Sequence, residues 1–369
     1  MEAPPLAVPD YGGACLDGVV PALLDRAQRE PPPWIPEVAA QAAQVVVLVL
    51  DGLGWGQLQE RANLAPTLSS MTGGPITSVA PTTTATALAS ITTGHPPCEH
   101  GVVGYRVHVG EGQVMNVLRW TTSAGDARES VPPAEFQRIE PFEGQRVPAI
   151  IRGEFRTTGF TGAILRGTRF YGWRTTSTLV VEVGRLLREG EPLVYAYYDG
   201  VDRVAHEFGL GEYYDAELAA TDELVAQVAA QLPPGAALVV TADHGQVHVG
   251  QSVITIDDDL LAETVLLSGE GRFRWLHARP GKAEWLATEA HARYGHLAWV
   301  RTRTELEDAG MYGGPLSAAA VARLGDVAII PFEPVAFLDP ADTGETLLVS
   351  RHGSLTAAEL HVPLVALGA

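Results

Sequence analysis

Cysteine is nearly absent from this chain. Its 369 residues include two, Cys15 and Cys98. A secreted domain held by disulfides would carry more, so a reducing compartment is the expectation. Long apolar runs are also missing. The longest, Val45 to Leu50, is far short of the roughly 20 residues that a membrane span needs. Met1 to Asp10 is proline-rich and acidic, without the basic segment and apolar stretch of a secretory signal. Together these absences predict a cytoplasmic protein with no membrane partner. Positive charge is scarce as well: Lys and Arg total 25 against 44 Asp and Glu, a net charge of −19. A nucleic-acid partner is therefore not expected, because phosphate backbones are met by basic faces. A small phosphate-bearing substrate stays admissible if something local supplies positive charge.

Apolar material is plentiful. The hydrophobic fraction is 46% and the charged fraction 19%, a globular composition that excludes a disordered chain. The length suits two or three domains, or one large α/β domain with an insertion. No internal repeat or low-complexity tract interrupts it.

The run Val45 to Leu50 is β-branched without alternation, as in a strand buried on both faces of a parallel sheet. It ends in Asp51-Gly52-Leu53-Gly54. Leu193 to Tyr198 repeats the design and runs into Asp199-Gly200-Val201-Asp202. Ala237 to Ala242 repeats it again, into Asp243-His244-Gly245. Between these two, Tyr213 to Gln231 has helical spacing and stops at Pro233-Pro234-Gly235. Strand, helix, strand, with polar residues at strand ends, predicts a doubly wound, mostly parallel α/β sheet flanked by helices. Gly94 to about Arg188 reads as strands and loops around the active face, with a helix over Ser177 to Arg188.

From Ala262 the pattern changes. Arg272 to Ala278, Ala298 to Thr302 and Asp326 to Ile330 read as strands, and Lys282 to Tyr294 and Glu305 to Gly310 as helices. We expect a small α+β insertion over 262–340, capping or flanking the site, and a catalytic core made of 1–261 and 341–369. The chain returns to the core with Leu347 to Ser350, then Arg351-His352-Gly353, and closes with apolar His361 to Leu367. The cluster Arg272, Arg274, Arg279 and Lys282 reads as a solvated face or a substrate lid, with the former slightly favoured.

Each polar cluster is ambiguous alone. Asp51 is as readily a turn residue as a functional one. Thr84 opens a Thr/Ala-rich helix, where a threonine is more often a cap than a nucleophile, although helix N-termini also bind anions. Asp202 and His206 are four apart, usually a mere polar pair on a helix. Asp243-His244 follows a strand, and His352-Gly353 an apolar segment. In combination these residues form one set: three Asp, three His and a Thr, enough for two metal ions. Asp202, His206 and His352 would hold one; Asp51, Asp243, His244 and the Thr84 oxygen would hold the other. Two such ions clamp the entering and leaving oxygens of a phosphoryl displacement and activate the threonine hydroxyl.

These blocks, in this order and spacing, resemble the alkaline phosphatase superfamily and, within it, the type I phosphodiesterase/nucleotide pyrophosphatase branch. The likeness runs from Val45 to Leu364. It is carried by Asp51, by Pro81 to Gly94 followed by His100-Gly101, by Asp202 with His206, by Asp243-His244-Gly245 and by His352-Gly353. The resemblance implies a hydrolase with two divalent ions, zinc as first expectation and manganese as second. Its substrate would be a small phosphodiester or nucleotide pyrophosphate, cleaved through a covalent intermediate on Thr84. His95 and His100 are not carried over as ligands. The branch has an Asn shortly after His-Gly; here Tyr105 occupies that place, with Arg106 beside it, and these two are the substrate-binding candidates. Ala85 replaces a frequent aromatic, and Ala205 a glycine. A phosphomonoesterase or phosphonate hydrolase on the same scaffold is the alternative; a monoesterase would need an added cation, for which Arg106, Arg166 and Arg169 are candidates. A non-catalytic binding protein is disfavoured, because all seven ligand positions are present. Oligomeric state is unreadable from the sequence.

Overall fold

The computed structural model describes residues 3–344 and 347–369. Its centre is a seven-stranded sheet. In chain order the strands are β1 (Gln44–Leu50), β2 (Thr72–Thr77), β3 (Pro148–Arg152), β4 (Arg169–Trp173), β5 (Leu193–Tyr198), β6 (Ala236–Thr241) and β11 (His361–Gly368), in the spatial order β2-β11-β6-β1-β5-β3-β4. β1 pairs in parallel with both β5 and β6. Val45 to Leu50 is wholly buried, which is why that strand is β-branched and apolar throughout rather than alternating. β11 runs antiparallel to β6 and to β2, so the sheet is mostly, not entirely, parallel.

The helices that matter for the site are α1 (Thr84–Thr93), α2 (Thr176–Arg188), α3 (Gly200–Phe208) and α4 (Glu212–Ala229). They fall where the spacing predicted them, within one or two residues at most ends. Of the other central-sheet strands, β2 was not anticipated, and β3 and β4 were expected only as unplaced strands within Gly94 to Arg188. β2 reads Thr-Gly-Gly-Pro-Ile-Thr and lies at the sheet edge, where proline is tolerated. β3 and β4 are five residues each and sit inside a glycine-rich stretch. Leu347 to Val349 is not strand; only Ser350–Arg351 pairs, with Val247–His248, in a two-stranded ribbon outside the main sheet.

A second, four-stranded sheet lies between Thr264 and Pro331: β7 (Thr264–Glu270), β8 (Phe273–Ala278), β9 (Ala298–Thr302) and β10 (Val327–Pro331), in the order β7-β8-β10-β9. Helix α5 (Ala283–Tyr294) packs on it, around a core that includes Leu276, Leu286, Val300 and Ile329. The basic cluster here divides: Arg279 is exposed and Lys282 partly so, as a solvated face would have it, but the other two are not. Arg272 and Arg274 are fully buried. The Arg272 guanidinium donates to both Glu359 oxygens, at 2.7 and 2.8 Å, and the Arg274 guanidinium to the Phe337 carbonyl. Arg279 and Lys282 engage Ala262 and Glu263.

The Arg272–Glu359 pair joins the small sheet to the segment leading into β11. Glu359 also accepts from the Ser354 amide and the Thr356 hydroxyl. Removing one member of a buried pair strands the other, so Glu359→Ala should cost roughly 3–5 kcal/mol, read as a lower urea midpoint; an unchanged midpoint would refute the coupling. His100 makes a second, pH-dependent contribution. It is buried, with Nδ1 accepting from the Val102 amide and Nε2 beside the Ser90 hydroxyl at 2.8 Å. Burial first, then His95 and Arg323, push its pKa down from 6.5 to about 3. The fold accommodates only the neutral ring, so the stability tied to it is complete above pH 6.5 and lost as pH falls toward 3. His100→Gln should flatten the decline of Tm between pH 6.5 and 4.

Candidate active site

Asp51, Asp202, His206, Asp243 and His244 stand at the carboxyl end of a central strand or on the element that follows it, where open α/β sheets bind their ligands; His352 follows the Ser350–Arg351 strand of the ribbon outside the main sheet. Asp51 follows β1 directly. Asp243 and His244 come two and three residues after β6. Asp202 and His206 share the helix α3, which opens after β5. Close backbone approach makes this convergence possible at two glycines. Gly52 has φ +75°, and a Cβ there would come within 2.9 Å of the Asp202 side chain. A Cβ on Gly245 would meet the Ala358 carbonyl oxygen at 2.0 Å. Only glycine fits either place.

Thr84 is the first residue of α1, and the chain before it is stapled to the His352 loop. Thr82 exchanges hydrogen bonds with Gly353: its amide donates to the Gly353 carbonyl at 3.2 Å, and its hydroxyl accepts from the Gly353 amide at 3.1 Å. The Thr82 hydroxyl also donates to the Ser354 carbonyl at 2.6 Å. Thr84 itself is buried, with Oγ1 3.1 Å from His244 Nε2.

Two sets of ligand atoms lie within 4.8 Å of one another: Asp51, Asp243 and His244, and Asp202, His244 and His352. His244 Nε2 is 3.5 Å from both Asp51 Oδ1 and Asp243 Oδ2. Its ring stacks on His352 with centroids 3.6 Å apart, so it stands between the two sets. His206 joins through Asp202, its Nε2 3.3 Å from Asp202 Oδ1. All seven residues of the expected set are therefore in one place, although His206 lies further from the three-residue groupings than the spacing suggested.

The chemistry of this donor set fits cations. Asp51 Oδ1 and Asp243 Oδ2 are buried without a hydrogen-bond partner. Burial, and then the other carboxylates, raise the Asp51 pKa well above its usual range; burial also raises that of Asp243. A divalent ion would satisfy the bare oxygens and remove this penalty. The three imidazoles face the same way electronically. Nδ1 of His206, His244 and His352 lies 2.7, 3.1 and 2.9 Å from the carbonyls of Ser350, Gly245 and Thr82. A carbonyl can only accept, so each Nδ1 carries the proton and each Nε2 presents a lone pair. Burial and the neighbouring imidazoles push the His352 pKa well down, which keeps that ring neutral.

Several positioning residues escaped the sequence reading. Tyr197 donates its hydroxyl to Asp51 Oδ2, and Gln246 donates its amide to Asp202 Oδ1. Gln246 is fixed in turn by Gln57, which donates to the Gln246 carbonyl at 2.7 Å. Gln246 directly follows Asp243-His244-Gly245, and Tyr197 stands two residues before Asp199 on β5. Proximity to the motifs was the only available signal.

The arginine expectations need correction. Arg106 is buried against Asp339 and Asp342 and does not line the cavity over Thr84. Its charge is neutralised inside the fold, so it is not available to substrate. Arg166 donates to three backbone carbonyls, and Arg169 pairs with Glu191. Other arginines border the site: Arg351 lines one cavity beside Thr84, Arg203 the other, and the exposed Arg119 lines both. Tyr105 does line the site. Its hydroxyl accepts from the Asn116 amide at 2.6 Å, and burial pushes its pKa up to about 12. The small sheet contributes as well: Glu270 and Gly271, at the β7–β8 turn, form part of the same wall.

A mostly parallel sheet gathering three Asp and three His around a helix-terminal threonine defines a phosphoric ester hydrolase on an alkaline-phosphatase-like fold. Residues 45–354 match the family described as type I phosphodiesterase / nucleotide pyrophosphatase, and the chain belongs to that family. The family is metal-dependent. Among solved structures, murine ectonucleotide pyrophosphatase / phosphodiesterase 5 is similar at TM-score 0.65 and 15% identity over 88% of each chain. The same murine protein as an inactive threonine-to-alanine variant, in complex with AMP, matches at TM-score 0.64 and 15% identity, covering 88% of this chain and 87% of that one. Phosphonoacetate hydrolase from Sinorhizobium meliloti 1021, in complex with phosphonoformate, matches at TM-score 0.64 and 19% identity, over 92% of this chain and 91% of that one. No curated protein matches the sequence significantly. None of the described helices is long and apolar enough to cross a membrane.

Orienting groups around metal ligands typically govern affinity by 10–100-fold. Gln246→Leu should therefore weaken zinc binding by about that factor, measured by competition with a chromophoric chelator. Unaltered affinity would mean that Asp202 is oriented without it.

Proposed function

We propose that this chain hydrolyses a small phosphodiester or nucleotide pyrophosphate with Thr84 as the nucleophile. The observation that carries the reading is the pair of bare, buried oxygens on Asp51 and Asp243 beside Thr84 Oγ1. Asp51, Asp243 and His244 would hold one divalent ion, with the Thr84 oxygen beside them; Asp202, His206 and His352 would hold the other. Zinc is preferred for the mixed Asp/His donors, with manganese second. When bound, two such ions supply Lewis acidity and net positive charge where three carboxylates otherwise repel a phosphoryl group.

The chain's own groups have separate tasks. The first turn of α1 presents backbone N–H groups to a phosphoryl oxygen. Thr84 Oγ1 attacks phosphorus, the P–O bond to the leaving alcohol or phosphate breaks, and the threonine carries the phosphoryl group. Water then cleaves that ester and restores the hydroxyl. Tyr105 stands where it can border the substrate, and Arg119 offers an exposed cation beside the site. The inactive threonine-to-alanine variant of the murine neighbour supports a threonine in this role. The unit 262–340 is proposed as a flank that closes one wall through Glu270 and Gly271, on a core made of 1–261 and 341–369. A cytoplasmic setting is supported by Cys15 and Cys98, which are both free.

Phosphonate hydrolysis is the second reading, favoured by the likeness to phosphonoacetate hydrolase. The two are separated by assaying bis-(p-nitrophenyl) phosphate, p-nitrophenyl phosphate and phosphonoacetate with zinc-loaded protein. The diester should be the best substrate. Thr84→Ala should lower its turnover at least about a thousandfold while bound metal, measured by elemental analysis, stays near the wild-type level. Turnover retained in that variant would exclude Thr84 as nucleophile.

A further inference from the structure

The two sides of Thr84 differ in kind. On one side is a cavity of about 280 Å³ bordered by Tyr105, Arg119, Glu270 and Arg351. On the other is a larger one of about 460 Å³ that shares Thr84, Asp51 and Asp202 with the candidate site. Its volume suits a small-molecule pocket. Its walls are Leu88, Leu118, Ile151, Phe160, Ile164 and Leu165, with the half-buried Phe155 at the edge.

The polar groups in this wall are mostly engaged with one another. The Thr158 hydroxyl bonds the Thr161 hydroxyl at 2.9 Å and also accepts from the Thr161 amide. Tyr197 donates to Asp51. Asp199, at the rim, is gripped by both nitrogens of the Arg152 fork, at 2.6 and 3.0 Å. Tyr195 adds one hydroxyl, and the exposed Arg119, Glu154 and Arg203 also border the cavity, but most of its surface is apolar. A nucleobase carries several donors and acceptors on its edge, and burying them unpaired would be costly. An alkyl or aryl group has no such requirement and gains by leaving water.

We propose that this cavity receives an apolar substituent carried on the substrate's phosphorus. The substrate class is then a phosphoester or phosphonate bearing an aliphatic or aryl group rather than a nucleoside. The assignment rests on the hydrolase reading above, because it is the phosphoryl group at Thr84 that presents the substituent to the cavity.

The test is isothermal titration calorimetry of zinc-loaded protein with methyl-, butyl- and hexylphosphonic acid and with AMP, beside the diester assay. Affinity should rise by about fourfold for each methylene buried, and hexylphosphonate should bind more tightly than AMP. Phe155→Asn should reduce the rise from butyl to hexyl. Phe155 is half-buried, and the wild-type series alone already decides the matter if that variant does not fold. Equal affinity for the three phosphonates, or tighter binding of AMP, would overturn the assignment while diester hydrolysis leaves the hydrolase reading intact. Absence of both phosphonate binding and diester hydrolysis would overturn the two together.

Discussion

Three carboxylates drawn into one buried place are the constraint on which the rest of this structure depends. Asp51 and Asp243 each keep an oxygen with no hydrogen-bond partner, and Asp202 lies alongside them. Charge in such surroundings is tolerated only beside opposite charge. Among its described residues the fold pairs no arginine or lysine with Asp51, Asp202 or Asp243. Arg106, Arg152 and Arg272 are each committed to other acids. What it supplies is a set of imidazoles held at Nδ1 by backbone carbonyls, and a geometry that gathers them. The parallel strands set the positions, Gly52 and Gly245 allow the backbones to touch, and three backbone carbonyls fix the rings.

The same constraint gives the net charge of −19 its meaning. Global acidity disfavours long polyanions, which meet repulsion over a wide surface, but it says little about one phosphoryl group. That is decided within a few ångströms by the ions the Asp/His set holds. The surroundings of the set then decide which esters fit. A charged wall on one side and an apolar wall on the other distinguish the two ends of a substrate, and the small sheet takes part through Glu270 and Gly271. Arg272 and Glu359 make that participation rigid by joining the small sheet to the segment between His352 and β11.

Much of this was legible in the chain. The buried strand Val45 to Leu50 and the two like it declared a parallel sheet, because continuous β-branched runs have no exposed face to mark. Acidic and histidine residues at their ends declared the site, because strand ends in such sheets share one edge. Less was legible where local signals are weak. β2 begins Thr-Gly-Gly-Pro and is held in the sheet by β11, a partner almost three hundred residues away. Arg272 and Arg274 looked solvated because nothing near them in sequence announces Glu359 or the Phe337 carbonyl.

The sequence by itself determined the kind of chemistry: which residue types are present, at what spacing, and after which buried strands. Those are local properties, set by side-chain identity and backbone periodicity. Only the tertiary structure decided which cation borders the substrate, which groups orient the ligands, and which wall is apolar. Arg106 and Arg119 are equivalent as letters. One is neutralised in the interior and the other borders Thr84, because contacts between residues far apart in sequence determine where each guanidinium finds its partner.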